Sequence, residues 1–461
     1  MAGLNSVLGI ARDALAAQSY GLSITSQNVT NVNTPGYARR TVQLETWENG
    51  NPADGSVRIG TTQRNVDQFI LRRVFETNGY MQASSEREQG LGRIESLFMD
   101  TTGTGLQSSI QALFSSFQTL SSSPADPTAR AQVLSRADEL AAAFQQTAGS
   151  ISDLRQDLLS KAQGVGQEVT DLAAKLASLN TQIATAEATG EPALDLRDQQ
   201  EQLVSELSDK VDVNSFRDKS GGLVVLTGGV ALVEGGNAAH IDVSQVSGGL
   251  LAISVVRPGG TSIDIAAKLQ GGTLAGIRQA RDIDAVASVA RLDQMVSDIA
   301  TAVNTTHAAG VGLDGSTGNP LFALMSPPGS AASISVSAVM AGHPERLAAS
   351  STSGALPGGS DNAAALAMLA SSAVCSGGTR TPAECYSDLV GYVGGIKASA
   401  QRDTDVRSAM QGQLDTMRQS VSGVSLDEEM VSLSQFERAY QAAGKLIQTV
   451  DTLLDNLMKT I

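Results

Sequence analysis

Residues able to do chemistry are few. His240, His307 and His343 are the only imidazoles in 461 residues, which leaves little general acid–base capacity near neutral pH. None of them stands at ligand spacing from a cysteine or another histidine, so a zinc site is not expected. Cys375 and Cys385, with nine residues between them in SAVCSGGTRTPAECYSDL, read either as two reduced thiols or as a local loop-closing disulfide. The Gly-Gly and Pro between them permit the turn that a bond would need. Gly312–Asn319 looks like a fragment of a calcium loop, but the twelfth position counted from Asp314 is Met325, so it is read as a turn. Asp427-Glu428-Glu429 could be imagined as acid–base carboxylates. Following Ser425 at the start of a helical pattern, they read instead as a cap with charges that favour the helix N-terminus. No nucleophile elbow, zincin helix or phosphate loop occurs, and no catalytic residue, cofactor or metal is expected.

Composition narrows the class further. There are 47 Asp and Glu against 32 Lys and Arg, a formal net charge of −15, and no basic cluster longer than Arg39-Arg40 or Arg72-Arg73. Phosphate neutralisation needs clustered cations, so nucleic acid is not an expected partner. No run approaches ~18 consecutive apolar residues, so no membrane span is expected. The opening MAGLNSVLGI has neither a basic start nor an apolar block, so no cleaved signal is expected; a cytoplasmic location and export without signal cleavage both fit. Hydrophobic residues make up 41% but aromatic ones only 3%, with Trp47 the single tryptophan. Burial must come from Ala, Leu, Val and Ile, which favours long helices.

The spacing of apolar residues locates those helices. At the C-terminus Leu433, Phe436, Tyr440, Ala443, Ile447, Val450, Leu454, Leu457 and Ile461 keep strict three–four alternation, a coiled-coil seam. The N-terminal segment carries a weaker version through Leu4, Leu8, Ala11, Leu15, Leu22 and Val29, interrupted by Gln18 and Thr25. Each end has an apolar stripe without a local partner, so each is expected to cover the other. The first helix should stop near Asn33, before Pro35-Gly36. Val42, Leu44, Thr46 and Val57, Ile59 alternate as short strands around Asn49-Gly50-Asn51-Pro52. Helices are expected at about 69–99, 104–121 and 127–188, the last extending roughly 90 Å. From 211 to 270 the period becomes two, punctuated by glycine pairs, which is an antiparallel β module. A helix is expected over 271–309, with Ile283 and Val286 in its apolar stripe; 310–360 reads as loops with a few strands, and helices return at 361–374 and 385–420.

The fold class read from this pattern is mainly α with a β module, an α+β multidomain chain. Residues 1–36 and 423–461 would form a terminal coiled-coil domain. Residues 37–210 with 361–422 would form a long-helix bundle carrying a short hairpin near 40–60. Residues 211–360 would form an outer domain.

Several segments resemble one protein family. Asn28-Val29-Thr30-Asn31-Val32-Asn33-Thr34-Pro35-Gly36-Tyr37 resembles the N-terminal signature of bacterial flagellar axial proteins, and 422–429 with 435–443 resembles their C-terminal signature. Leu120-Ser121, Pro124, Asp126-Pro127, Ala129-Arg130, then Asp195-Leu196-Arg197-Asp198-Gln199, then Val303-Asn304, His307 and Asp314-Gly315 resemble the flagellar hook-associated protein 1 family. Leu194, Gln200 and Ser425 depart from that family's usual asparagine, arginine and asparagine. The resemblance implies a structural, non-enzymatic protein of the hook–filament junction, exported by the flagellar type III apparatus and located in the extracellular flagellum. It implies as partners the hook protein, the second hook-associated junction protein, further copies of itself in a ring, and an export chaperone on the C-terminal helix. Leu8, Leu15, Leu22 and Val29 with Leu433, Phe436, Tyr440, Ile447, Val450, Leu454 and Leu457 are the expected assembly seam. A hook or distal-rod protein would share both terminal signatures, and a secreted adhesin or hydrolase is the alternative from another class.

Overall fold

The structure is a computed structural model and describes residues 2–47, 55–99, 105–188, 190 and 192–460; the turn expected at Asn49–Pro52 and the side chain of Leu457 lie outside the described residues. Helix α1 (Ala2–Thr30) leads through a left-handed Gly36 (φ 81°) into the antiparallel pair β1 (Arg40–Trp47) and β2 (Ser56–Arg64). Both strands lie on α1, where the Tyr20 and Thr62 hydroxyls meet at 3.0 Å.

Helix α2 (Gln68–Phe98) begins where the Asp67 carboxylate accepts the amides of Phe69 and Ile70. After α3 (Leu106–Ser122), Asp126 and Pro127 start α4 (Pro127–Glu187), whose 61 residues form the spine of the molecule. Helix α5 (Leu194–Lys210) folds back on it; only Val204 and Leu207 are buried apolar residues in this helix, so no strong apolar period announces it.

The β module consists of two small antiparallel sheets. The first orders β3 (Asn214–Arg217), β4 (Leu223–Thr227), β5 (Val230–Glu234) and β6 (Asn237–Ala238); the second orders β7 (His240–Gln245), β8 (Leu251–Val256) and β9 (Ser262–Asp264). Val225, Val233, Ile253 and Val255 are fully buried beneath them. Strand β7 approaches α4 so closely that a methyl group on Gly166 would lie 2.9 Å from Val243.

The helix expected over 271–309 is not regular. It begins as α6 (Gly272–Arg278), opens into a π-turn at Gln279–Asp284, and continues as α7 (Ala285–Ala308). The wider turn shifts the face that follows, so Ile283 and Val286, expected in the apolar stripe, are 47% and 38% exposed while Asp284 and Ser288 are buried. Arg281 explains the turn: its buried guanidinium donates to the carbonyls of Arg155 and Gly249 (both 2.9 Å), to Gln245 and to Asp282, fastening α4 to the β7–β8 turn. The Asp284 carboxylate accepts Nε–H and Nη2–H of Arg87 from α2 at 2.8 and 2.9 Å.

Residues 310–360 hold β10 (Phe322–Ala323), the single turn α8 (Ser330–Ser333) and β11 (Ser335–Val336), packed on the N-terminal half of α4. Arg130 anchors this region, donating to the carbonyls of Pro124 (2.7 Å) and Leu347 (2.7 Å). Helix α9 (Asp361–Met368) then leads to α10 (Pro382–Ser422), which returns along α2, and to α11 (Leu426–Thr460), which lies on α1. Among the described residues no helix is long and apolar enough to cross a membrane.

His307 carries a pH prediction. One ring nitrogen lies 2.7 Å from the Asn319 carbonyl and the other accepts the Ala348 amide at 3.0 Å, an arrangement that requires the neutral ring. Burial lowers its pKa, only partly offset by the Asn319 contact. A depressed folded pKa supports stability above the unfolded value of about 6.5 and loses it as pH falls toward the folded one. The unfolding free energy of the unit containing α7, read from urea denaturation, should therefore drop between pH 7 and 5, by up to about 1.4 kcal/mol per pH unit. His307→Gln should flatten that dependence, and an unchanged slope in this variant would refute the assignment.

Candidate functional site

The two chain ends run antiparallel, since Asn28 meets Glu429 and Gly21 meets Phe436. A methyl group on Gly21 would lie 2.5 Å from the Phe436 ring, so glycine is what admits the aromatic side chain. Burial on α1 centres on Ala17, Gly21, Ile24 and Asn28. That line is one residue round the helix, about 100°, from the leucine line expected as the seam. Leu8, Leu15, Leu22 and Val29 are half-buried along its edge, as are Leu433, Phe436, Ile447 and Leu454 on α11. Val450 and Ala443 are buried, whereas Tyr440 is 43% exposed. Small residues win the centre because they allow close approach of the two helices; the larger apolar residues flank it.

Above this pair sits a polar clamp that fixes the chain ends to the hairpin. Asn28 is 1% exposed and makes four hydrogen bonds. Its amide nitrogen donates to the Arg40 carbonyl and to Glu429, both at 2.9 Å. Its oxygen accepts the Tyr37 hydroxyl at 2.8 Å and the Arg40 amide at 3.0 Å. Arg39 donates to Glu429 at 2.8 Å and to Glu428 at 2.6 Å, while its amide donates to the Ser422 carbonyl. The Asp427-Glu428-Glu429 run, read as a helix start, thus supplies two ion-pair partners as well, and Glu429 is buried. Asn31 and Thr34 hold the intervening turn together at 3.1 Å, and Asn33, Thr34 and Pro35 are exposed.

A second layer ties the clamp to α5. Arg40 reaches Asp195 at 2.5 Å and Asp198 at 2.9 Å, with its guanidinium 4.9 Å from the centre of the Tyr37 ring. Arg64 donates twice to Glu201, and its Nε lies 2.7 Å from Asp198, an ion contact whose angle falls short of a hydrogen bond. Burial lowers the Arg40 pKa, but its bonds to Asp195 and Asp198 outweigh this and leave it raised. Burial raises the pKa of Asp198 against the pull of both arginines, and raises that of Tyr37. Both acids of the Asp195–Gln199 segment are therefore partners of hairpin arginines, while Arg197 turns to Glu187. Gln200, which departs from the arginine usual in the family that the sequence resembles, is buried between Asn180 and Arg217.

The turn 31–37 and the connection 418–425 border a cleft of about 660 Å³. No nucleophile and base converge there, and among the described residues no group of three His, Cys, Asp or Glu is placed to hold a metal. Asp314 caps its own turn by accepting the Ser316 amide at 3.0 Å, and Asn304 pairs with both polar groups of Phe322. Cys375 and Cys385 are buried, unbonded thiols. What the site can do is mechanical: it joins two helices from opposite ends of the chain to one hairpin. The sequence signal for Asn28 and Tyr37 was their motif; nothing in the pattern announced Arg64 and Glu201.

A family model described as the flagellar hook-associated protein FlgK helical domain matches residues 91–322. One described as the flagellar basal body rod FlgEFG protein C-terminal matches residues 417–460. Flagellar hook-associated protein 1 of Bacillus subtilis (strain 168) is 28% identical over 500 residues, covering 98% of this chain and 97% of that protein. Its counterpart from Escherichia coli (strain K12) is 25% identical over 545 residues, covering 99% and 100%. The solved structure of the flagellar hook junction protein FlgK from Burkholderia pseudomallei shares the fold, with a TM-score of 0.66 at 17% identity, over 76% of this chain and 100% of that one.

Proposed function

The chain belongs to the flagellar hook-associated protein FlgK family, structural components of the flagellum and not enzymes, and from that premise we propose that it forms the junction on which the filament polymerises. In this reading the chain leaves the cell through the flagellar type III apparatus and assembles as a ring at the hook tip. The hook protein lies below it and a second junction protein above. The supporting observation is the surface of the paired ends. Leu446 and Leu453 are each 49% exposed, and Met430, Val431 and Tyr440 also stand open on α11. Leu446 and Leu453, seven residues apart, share one side of α11 and form an apolar row left in water, the kind of surface that a partner covers. Neighbouring copies would cover it in the ring, and before export an amphipathic-helix chaperone groove would do so. Few side chains of the pair are fully buried away from the clamp, so the ordering of that distal stretch is coupled to assembly.

A strain lacking the gene should carry hooks without filaments and lose flagellin to the medium. Missing hooks would move the protein to the rod or hook, and normal filaments would refute the reading. Leu446→Glu with Leu453→Glu should leave monomer stability within about 0.5 kcal/mol, since both side chains are already half in water. The double variant should still be exported yet fail to restore filaments; filaments at wild-type frequency would show that this row is not an assembly surface.

A further inference from the structure

Cys375 and Cys385 are held together by a clip that the assembly role leaves unused. Ser376, Gly377 and Gly378 all adopt left-handed backbone (φ 52°, 70° and 82°), a sharp reversal at whose end Arg380 pairs back with Cys375. The Cys375 amide donates to the Arg380 carbonyl at 2.9 Å, and the Ser376 amide is fixed to Asp298 at 2.8 Å. On the other side, Thr381 and Glu384 form a reciprocal capping box that starts α10, so Cys385 occupies its first turn and a half on a rigid support. The hydroxyl of Ser376, the residue that follows Cys375, lies 3.4 Å from the Cys385 sulfur. Both backbones are therefore fixed by bonds of their own, and the Cys385 sulfur is seated against the residue next to Cys375.

We propose that this pair is a built disulfide site, which closes within the folded chain on meeting a small-molecule disulfide. Cys385, 9% exposed and near a helix N-terminus, is the attacking sulfur; Cys375 is fully buried. The Cys385 thiolate displaces one small thiol and forms a mixed disulfide. Cys375 then gives up its proton and displaces the second, so two protein thiols are oxidised by two electrons and one small disulfide is reduced to two thiols. Burial first, then the neighbouring Cys385 and the Asp298 carboxylate, push the Cys375 thiol well up, which leaves the initial attack to Cys385. Export, as proposed above, would bring the chain from a reducing to an oxidising compartment, but the chemistry of the pair does not depend on that reading.

The purified, folded full-length chain is equilibrated in glutathione buffers of increasing oxidised share, acid-quenched, unfolded, alkylated and mapped by mass spectrometry. The expected result is joint loss of both thiols, a mass lower by two hydrogens, a cross-linked 375–385 peptide and a higher Tm for the oxidised chain. Cys375→Ser should take up one glutathione at Cys385, whereas Cys385→Ser should leave Cys375 unmodified while folded. Two alkylatable thiols in the most oxidising buffer would overturn the proposal. So would glutathione adducts or chain-to-chain links in place of the internal bond.

Discussion

Asn28→Asp is expected to detach the paired chain ends from the hairpin while leaving residues 68–400 folded. The substitution hardly changes shape, but it replaces the amide that donates to the Arg40 carbonyl and to Glu429, both at 2.9 Å, with an oxygen that can only accept. A second carboxylate then faces a buried Glu429 and a carbonyl, with no donor between them. Leaving buried groups unsatisfied costs about 1–3 kcal/mol each and more where one is charged, so a loss of roughly 4 kcal/mol from this unit is expected. Hydrogen exchange should show faster amides across 22–40 and 426–443 with unchanged protection in α4, and swimming should be lost. Asn28→Ala, which removes the donors without adding a charge, should fall between the two. If the aspartate variant exchanges like the parent, the clamp is not what joins the ends. The apolar contacts around Gly21 and Phe436 would then carry the pairing alone.

This clamp also marks the limit of what residue patterns convey. Strict three–four spacing placed α4 and α11 because a long helix repeats the same geometric demand every turn, and glycine pairs placed the β turns because left-handed backbone excludes most side chains. The end-to-end pairing followed from two stripes without local partners. Which residues occupy the centre of that pair did not, since a close helix approach favours Ala17 and Gly21, which carry no hydrophobic signal. The π-turn escaped for a similar reason: Arg281 is fixed by carbonyls from Arg155 and Gly249, groups every residue has and no sequence displays. Arg40, Arg64, Asp195, Asp198 and Glu201 form one network only because the hairpin and α5 meet in space, more than a hundred residues apart along the chain.

Gly272→Ala is expected to damage the joint between the helices and the β module more than any other single methyl group. Three backbones converge there: Gly79 of α2, the end of α5 at Ser208–Val211, and the start of α6. A Cβ on Gly272 would fall on the Val211 nitrogen and the Lys210 carbonyl carbon, atoms that cannot swing aside, and its φ of 79° is one that alanine resists. Left-handed backbone costs about 1–2 kcal/mol for a residue with a Cβ. Overpacking against a fixed neighbour adds about 1–3 kcal/mol, and more where only backbone can move, so a total near 4 kcal/mol is expected. Gly229 isolates the two contributions, because its φ is 78° but nothing lies within 4 Å of the added methyl. Gly229→Ala should therefore cost only the conformational ~1–2 kcal/mol in urea denaturation monitored on the β module. Equal losses in the two variants would mean that backbone conformation alone is at stake and that the α5–α6 junction has room to relax. A larger loss at Gly272 would mean that the β module is held on its helices by contact between main chains, where no side-chain substitution could compensate.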